Sequence, residues 1–304
     1  TALHDRGETA AELAGFSAAM RAAAVLLPLT EAERARAVDT CGTGGDGSGT
    51  FNISTTVALV AAAAGVTVAK HGNRAITSRS GSADVLAALG VETEHMPESA
   101  VASLREFGFA FLLAPRMHPA MKVVAPVRKS LPFRTVFNLL GPMSNPAGTT
   151  RQVLGVYSPE AVDMVAEAMA VSGHMEHALI VHGDGGLDEL SLSGESVVAE
   201  VRGDQIRRYT VVPEDAGLQR SQDALLGGDA MENAAILRGI VAGETGPKRD
   251  IVLLNAAAVL LVAGEAADLR EGARIAAETI DRGKAEAFLA RLSASSGSGS
   301  GTTP

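Results

Sequence analysis

The 304-residue chain is predicted to be α/β, a sheet covered by helices, on three observations. Short apolar strand patterns alternate with longer helical ones, which is how a sheet acquires a helical cover. A dense glycine stretch, Asp39-Thr-Cys-Gly-Thr-Gly-Gly-Asp-Gly-Ser-Gly-Thr-Phe-Asn-Ile-Ser-Thr-Thr56, joins a strand pattern to an apolar, alanine-rich run. Ligands of α/β proteins bind where strands pass into helices. Hydrophobic residues reach 46%, aromatics only 3%, and Trp is absent. The core must then rest on Ala, Val and Leu, which favours closely packed helices.

Taken in order, residues 7–21 read as a helix. Thr9 and Glu12 form a capping-box pattern, and Leu13, Phe16 and Met20 an apolar stripe. A linker with Pro28 leads to a strand at 38–41. Residues 57–64 are helical and 66–69 a strand ending at Lys70. Helices follow at 83–89, closed by Gly90, and at 98–107. Phe109–Leu113 is apolar throughout and reads as a buried strand. Residues 120–131 look helical despite Pro126, and 135–140 form a short helix stopped by Gly141-Pro142. A strand at 153–157, a helix at 159–171 opened by a first-turn Pro, and a strand at 178–181 come next. Residues 196–201 and 205–211 make a hairpin around Gly203-Asp204. The remainder is helical: 229–241, 251–262, 269–282 and 284–292. The N-terminal helix, with some later ones, is expected to form a small separate α-helical unit. The Ser/Gly-rich residues 293–304 read as a flexible tail or linker.

The net charge is −9, against a general nucleic-acid or membrane-surface binder. It leaves room for an anionic small ligand, because local Lys, Arg and N–H groups can oppose the global field. The single cysteine, Cys41, rules out an internal disulfide framework and suits a reducing compartment, so a cytoplasmic location is expected. No uncharged apolar run reaches the length of a membrane span, and no signal peptide is visible. The chain opens at Thr1 inside a helical pattern, so further N-terminal residues are expected to precede it.

Three stretches could carry chemistry. In the first, glycines let the backbone close on a ligand, and a helix N-terminus aims N–H groups at one point, which suits phosphate. Asp46, Asn52, Ser54 and Thr55 add groups that bind sugars and phosphates or cap helices. The stretch lacks the Gly-Lys-Ser/Thr ending of a Walker loop and is longer and more polar than a dinucleotide fingerprint; a structural turn is the alternative. In the second, Lys70-His-Gly-Asn-Arg-Ala-Ile-Thr-Ser78 gathers two cations, a His, an Asn and two hydroxyls after a strand. It reads as an anion-binding loop, or else a solvated one; Gly81-Ser82 then opens another helix. In the third, Asp188-Glu189 are adjacent carboxylates, which favour a cation such as Mg²⁺ or lie on a charged surface. Arg116, Arg128 and Arg134 flank an apolar, Pro-rich region, and each suits a carboxylate or a structural ion pair. His95 and His174 read as loop residues. Cys41 reads as a small buried side chain with no base beside it.

These motifs together resemble anthranilate phosphoribosyltransferase. Asp39-Thr-Cys-Gly-Thr-Gly-Gly-Asp-Gly, Phe51-Asn-Ile-Ser-Thr55, Lys70-His-Gly-Asn-Arg74, Gly81-Ser-Ala-Asp-Val-Leu86, Arg134-Thr-Val-Phe-Asn-Leu-Leu-Gly-Pro142 and His182-Gly-Asp-Gly-Gly-Leu-Asp-Glu189 occur in that family's order. The resemblance runs from about residue 7 to 292. It implies a small α-helical domain, of which residues 1–30 are a remnant, beside a large α/β domain over 36–292. The large domain would have a central, mostly parallel sheet of the nucleoside phosphorylase/phosphoribosyltransferase kind. A homodimer is implied, as is transfer of phosphoribosyl from phosphoribosyl pyrophosphate to anthranilate in tryptophan biosynthesis, with Mg²⁺.

By matching position, the resemblance puts Gly42, Gly45, Asp46, Thr50, Asn52, Ile53, Ser54 and Thr55 at phosphoribosyl pyrophosphate. It adds Lys70, His71, Gly72, Asn73, Arg74, Ala75, Ile76, Thr77, Ser78 and Ser82 to the same pocket. Gly42, Asn73 and Arg128 would lie by anthranilate, with His71 near its path. Ser54, Asp188 and Glu189 would hold Mg²⁺. No residue is assigned as a general base. The sequence departs from the family in its short N-terminal part, in Pro132 where a glycine is usual, and in Ala75-Ile-Thr77. Two other readings are a pyrimidine nucleoside phosphorylase, whose glycine loop differs, and a nucleic-acid-binding relative, which should be basic and could lack the paired carboxylates.

Overall fold

The computed structural model describes residues 2–44, 46–75, 79–131, 133–223 and 225–297. Seven strands make one sheet: β1 (Ala37–Gly42), β2 (Thr67–Gly72), β3 (Phe109–Leu113), β4 (Arg151–Gly155), β5 (His177–His182), β6 (Ser196–Arg202) and β7 (Gln205–Val211). Their order across the sheet is β3-β2-β1-β4-β5-β6-β7. β3 through β5 in that order pair in parallel, and β6 and β7 add an antiparallel hairpin. Parallel neighbours need a long crossover, and the helices between these strands supply it. The fold is α/β, as the alternation of elements predicts.

Strand periodicity divides the core into two layers. Val153, Leu179 and Val181 face a layer shared with the helices Ile53–Ala63, Ala230–Val241, Pro247–Ala263 and Leu269–Asp281. Leu154, Ile180 and Val201 face the other way, against Leu13 of the helix Ala10–Ala22 and Val162, Val165 and Met169 of the helix Pro159–Ser172. β3 is an edge strand, yet every one of its residues is buried. Phe109, Phe111 and Leu113 enter the main core, while Ala110 and Leu112 pack with Leu27, Leu104 and Met117. The opposite edge, β7, exposes Arg207 and Arg208, charges that discourage edge-to-edge pairing.

The capping box of the first long helix forms as its sequence predicts: Glu12 N–H donates to Thr9 Oγ1 and Thr9 N–H to Glu12 Oε2. A second box, Thr30 with Glu33, starts the helix Glu31–Arg36 inside the expected linker. β1 and β2 run on to Gly42 and Gly72, past the expected strand ends, because Gly42 pairs with Gly155 and Gly72 with Leu113. Lys70, His71 and Gly72 are therefore strand residues and not loop residues. The helix Ile53–Ala63 begins four residues before its apolar pattern does. Residues 293–297, expected in the flexible tail, instead continue the helix Lys284–Gly297. Ser293 Oγ donates to the carbonyls of Leu289 and Leu89, so a hydroxyl that reads as linker fastens this helix to the fold. Residues 298–304 of that tail lie outside the described residues. Among the described residues no helix is long and apolar enough to cross a membrane.

Candidate active site

Strand order reverses between β1 and β4: β2 lies beyond β1 on one side and β5 beyond β4 on the other. Open α/β sheets bind ligands at such a switch point, outside the carboxyl ends of the strands. The segments that follow β1, β2 and β5 are the three stretches singled out above. Glycines let the last of them lie flat on the strand ends. A Cβ on Gly42 would overlap the Asp188 carboxylate, one on Gly155 the Asp188 carbonyl oxygen, and one on Gly183 the Glu189 carbonyl oxygen. Gly44 N–H donates to Asp188 Oδ2 at 2.7 Å, which fastens the glycine stretch to the acidic pair.

Lys70 stands at the centre of this arrangement. Its side chain is 1% exposed, and Nζ donates to Thr40 O at 2.6 Å and Ser54 Oγ at 3.3 Å. Burial lowers its pKa, and the surrounding acids, Asp39, Glu189 and Asp188 among them, oppose that. Burial raises the pKa of both Asp188 and Glu189; Asp46 adds to the rise at Asp188, and Asp188 to the rise at Glu189. A cation beside these two carboxylates would oppose both rises. Among the described residues no group of three or more His, Cys, Asp or Glu is placed to hold a metal ion by itself. The donor set, two carboxylates and the Ser54 hydroxyl, is the sparse one that fits Mg²⁺, whose shell is completed by water and substrate phosphates.

The helix N-terminus at Asn52 is used differently from the expectation of a free phosphate cradle. Asn52 does not cap its helix with its side chain. Its Nδ2 donates to Ser80 O, and its Oδ1 accepts from Asn233 Nδ2 at 2.9 Å. The backbone N–H of Ser54, at the start of this helix, opposes the rise in the Glu189 pKa. The glycine stretch is held open by a short antiparallel contact: Phe51 N–H donates to Leu225 O, Gly227 N–H to Gly49 O, and Thr50 pairs with Leu226. Asp46 Oδ1 turns the loop by accepting Ser48 N–H. Thr55 is buried with its Oγ1 unpartnered, and Ile53 is a core residue.

Beyond β2, Ser82 Oγ and Ala83 N–H both donate to Asn73 O, which closes the loop. Asp84 Oδ2 accepts the N–H groups of Ala75 and Gly81, and a Cβ on Gly81 would strike the Asn73–Ala75 backbone. The Arg74 guanidinium pairs with Glu94 at 2.7 Å and, more loosely, with Asp84. It is exposed and already occupied by two acids, so an anion would have to compete for it. Gly45, Ile76, Thr77, Ser78 and Pro132 lie outside the described residues.

The three arginines, equivalent in residue type, separate in the structure. Arg116 sits beside Glu94 and Met96, and Arg134 lies 4.5 Å over the Tyr157 ring. The guanidinium of Arg128, half-buried on the helix Met121–Ser130, has no hydrogen-bond or ion-pair partner among the described residues. Burial lowers its pKa, but a guanidinium stays charged. His71 is buried, with Nδ1 on Gly141 O at 3.1 Å and its ring centroid 5.0 Å from that of His118. The carbonyl partner makes Nδ1 the protonated nitrogen, leaving Nε2 unpartnered.

Residues 34–286 match the model of the glycosyl transferase family, a/b domain. The anthranilate phosphoribosyltransferase of Anaeromyxobacter sp. (strain Fw109-5) is 54% identical over 292 residues, 96% of this chain and 85% of that protein. The chain belongs to the anthranilate phosphoribosyltransferase family. The crystal structure of that enzyme from Thermus thermophilus superposes with a TM-score of 0.90 at 49% identity, covering 96% of this chain and 87% of that one. The Saccharomyces cerevisiae anthranilate phosphoribosyltransferase in complex with PRPP and Mg gives 0.85 at 32% identity, covering 95% and 81%. As a member of the family the chain is an enzyme of the pentosyl-transferring glycosyltransferases.

Within this anthranilate phosphoribosyltransferase fold, four residues matter that the sequence reading left without a role. Asp39, wholly buried in β1, accepts His71 N–H at 3.1 Å and Gln152 Nε2 at 3.3 Å. Burial pushes its pKa up to about 6, with the Lys70 charge opposing. Asp84 shapes the second loop, Asn233 joins Asn52 to Gly228 N–H, and Asn255 bonds the backbone of Leu190. The available signal was a charged or amide side chain inside an apolar strand or helix, which burial tolerates only with partners.

Proposed function

We propose that this site binds phosphoribosyl pyrophosphate with Mg²⁺ and that the chain transfers its phosphoribosyl group to the amine of anthranilate. The products are N-(5-phosphoribosyl)anthranilate and pyrophosphate, in tryptophan biosynthesis. The observation that carries this reading is the buried Lys70, bonded to Thr40 O and Ser54 Oγ, in the field of the acidic pair at the switch point of the sheet. The ribose C1–oxygen bond breaks, its electron pair leaving with pyrophosphate, while the anthranilate nitrogen bonds to C1 and passes its proton to the departing pyrophosphate or to water. The amine needs no strong base when bond breaking leads, and no residue is assigned as one.

The glycine stretch, Asn52, Ser54, Lys70, Asn73 and Ser82 bind and orient the donor. Asp188, Glu189 and Ser54 would hold Mg²⁺, which supplies positive charge to the leaving pyrophosphate when bound. Arg128 takes the anthranilate carboxylate and aims the amine at C1, a positioning contribution. Support for Arg128 over Arg116 and Arg134 comes from its guanidinium, which has no partner among the described residues. Residues 1–30 belong to a small helical domain and 36–292 to the catalytic one. A homodimer is supported by the exposed Phe16, Val25 and Leu26 near the N-terminal helix. The acidic charge and single Cys support a cytoplasmic enzyme with no nucleic-acid or membrane partner.

The test follows anthranilate fluorescence with phosphoribosyl pyrophosphate and Mg²⁺, omitting each in turn. Loss of signal only in the complete mixture is expected. Loss without the phosphoribosyl donor, or none in the full mixture, overturns the reading.

A further inference from the structure

Asn255 lies midway along the helix Pro247–Ala263, where nearly all its neighbours are apolar and buried. A buried amide is costly unless both ends are bonded. Its Oδ1 accepts Leu190 N–H at 2.9 Å, and its Nδ2 donates to Leu190 O at 3.0 Å. The same Nδ2 donates to Ile251 O at 2.9 Å, one turn back, which fixes the rotamer. The amide therefore pairs both backbone groups of one residue, as a neighbouring strand would. That residue directly follows Glu189. Gly155 and Gly183 admit the same segment where any Cβ would collide with the carbonyls of Asp188 and Glu189.

We propose that Asn255 is a positioning residue: by gripping Leu190 it sets the direction in which Asp188 and Glu189 present their carboxylates to a divalent cation. The proposal rests on the metal reading of that pair, and the experiment separates the two. Hydrogen exchange reports the Leu190 amide directly. Calorimetric binding of phosphoribosyl pyrophosphate, titrated with Mg²⁺ in the absence of anthranilate, reports the metal. Asn255→Leu removes both bonds to Leu190, and the milder Asn255→Asp keeps an acceptor but loses the donor. Leu260→Ala, in the same helix, controls for lost stability alone.

Slow exchange at Leu190 is expected in the wild type and in Asn255→Asp, which keeps the acceptor of the Leu190 N–H, and fast exchange in Asn255→Leu; both variants lose the bond to Leu190 O. The Mg²⁺ concentration for half-maximal donor binding should rise roughly 10- to 100-fold in those variants, as for other residues that orient metal ligands. Leu260→Ala should keep the wild-type value. Fast exchange at Leu190 in the wild type overturns the grip without any variant. A folded Asn255 variant with wild-type Mg²⁺ dependence, or an equal shift in Leu260→Ala, overturns the positioning role. Wild-type donor binding indifferent to Mg²⁺ overturns the metal reading and the proposal with it.

Discussion

Lys70 Nζ donates to the carbonyl oxygen of Thr40 at 2.6 Å, from the strand beside it. This bond fixes a fully buried ammonium at the carboxyl ends of β1 and β2, with Ser54 Oγ as its second partner. Removing one member of a buried charge group leaves the others uncompensated, at a cost of roughly 3–5 kcal/mol. Lys70→Met should therefore lower the unfolding free energy by that order, read as a drop in urea midpoint, in addition to weakening donor binding. A midpoint within error of the wild type would show that Lys70 does not balance Asp188 and Glu189.

Gly42 touches Asp188 closely enough that a Cβ would displace the carboxylate. Gly42→Ala should fold and yet lose on the order of 100-fold in rate, since small displacements of catalytic groups cost that much. Asp188→Asn combined with Glu189→Gln should flatten the Mg²⁺ dependence of donor binding. An unchanged metal titration in the double variant would remove both carboxylates from the metal site.

Arg128 is the one arginine of its trio whose guanidinium has no partner among the described residues. Charge-assisted hydrogen bonds contribute about 1.5–3 kcal/mol each, so Arg128→Ala should raise the anthranilate KM roughly 10- to 100-fold. The KM for the phosphoribosyl donor should move far less. Equal changes in both would count against a carboxylate-binding role.

Burial, with His118 beside it, holds the His71 pKa down at about 3. An unfolded histidine takes up a proton below about 6.5. Between those two values the unfolded chain binds a proton that the folded chain refuses, so stability falls as pH falls through that window. Lowering pH from 7.5 to 5.5 should cost about 1 kcal/mol through His71, read as a drop in urea midpoint. His71→Gln should show a drop smaller by that amount. Equal drops would mean that His71 is protonated without penalty in the folded protein.

Much of the fold was legible because it follows from local rules. Phe109–Leu113, with no polar residue, could only be buried, and Gly203-Asp204 marked the turn of the β6–β7 hairpin. The Thr9–Glu12 box marked where a helix starts. The errors fell where tertiary contacts override local pattern. Ser293 looked like linker because a serine-rich run has no packing signature of its own; the carbonyl of Leu89 gives it one. The strand ends at Gly42 and Gly72 were missed because glycine weakens a strand pattern, while here its small size is what the neighbouring chains require.

Site legibility divides in the same way. The residue types and spacing within each stretch already pointed to a phosphate-bearing sugar and a cation, and their order along the chain identified the family. Residues far apart in the chain acquire their roles only through the sheet. The resemblance singled out Arg128, but residue type alone did not separate it from Arg116 and Arg134, show that Arg74 is occupied by Glu94, or connect Asn255 to Leu190. Chemical type is carried by each residue by itself. Charge balance and hydrogen-bond partnership belong to pairs, and only the parallel sheet, by bringing the ends of β1, β2 and β5 to one edge, decides which pairs exist.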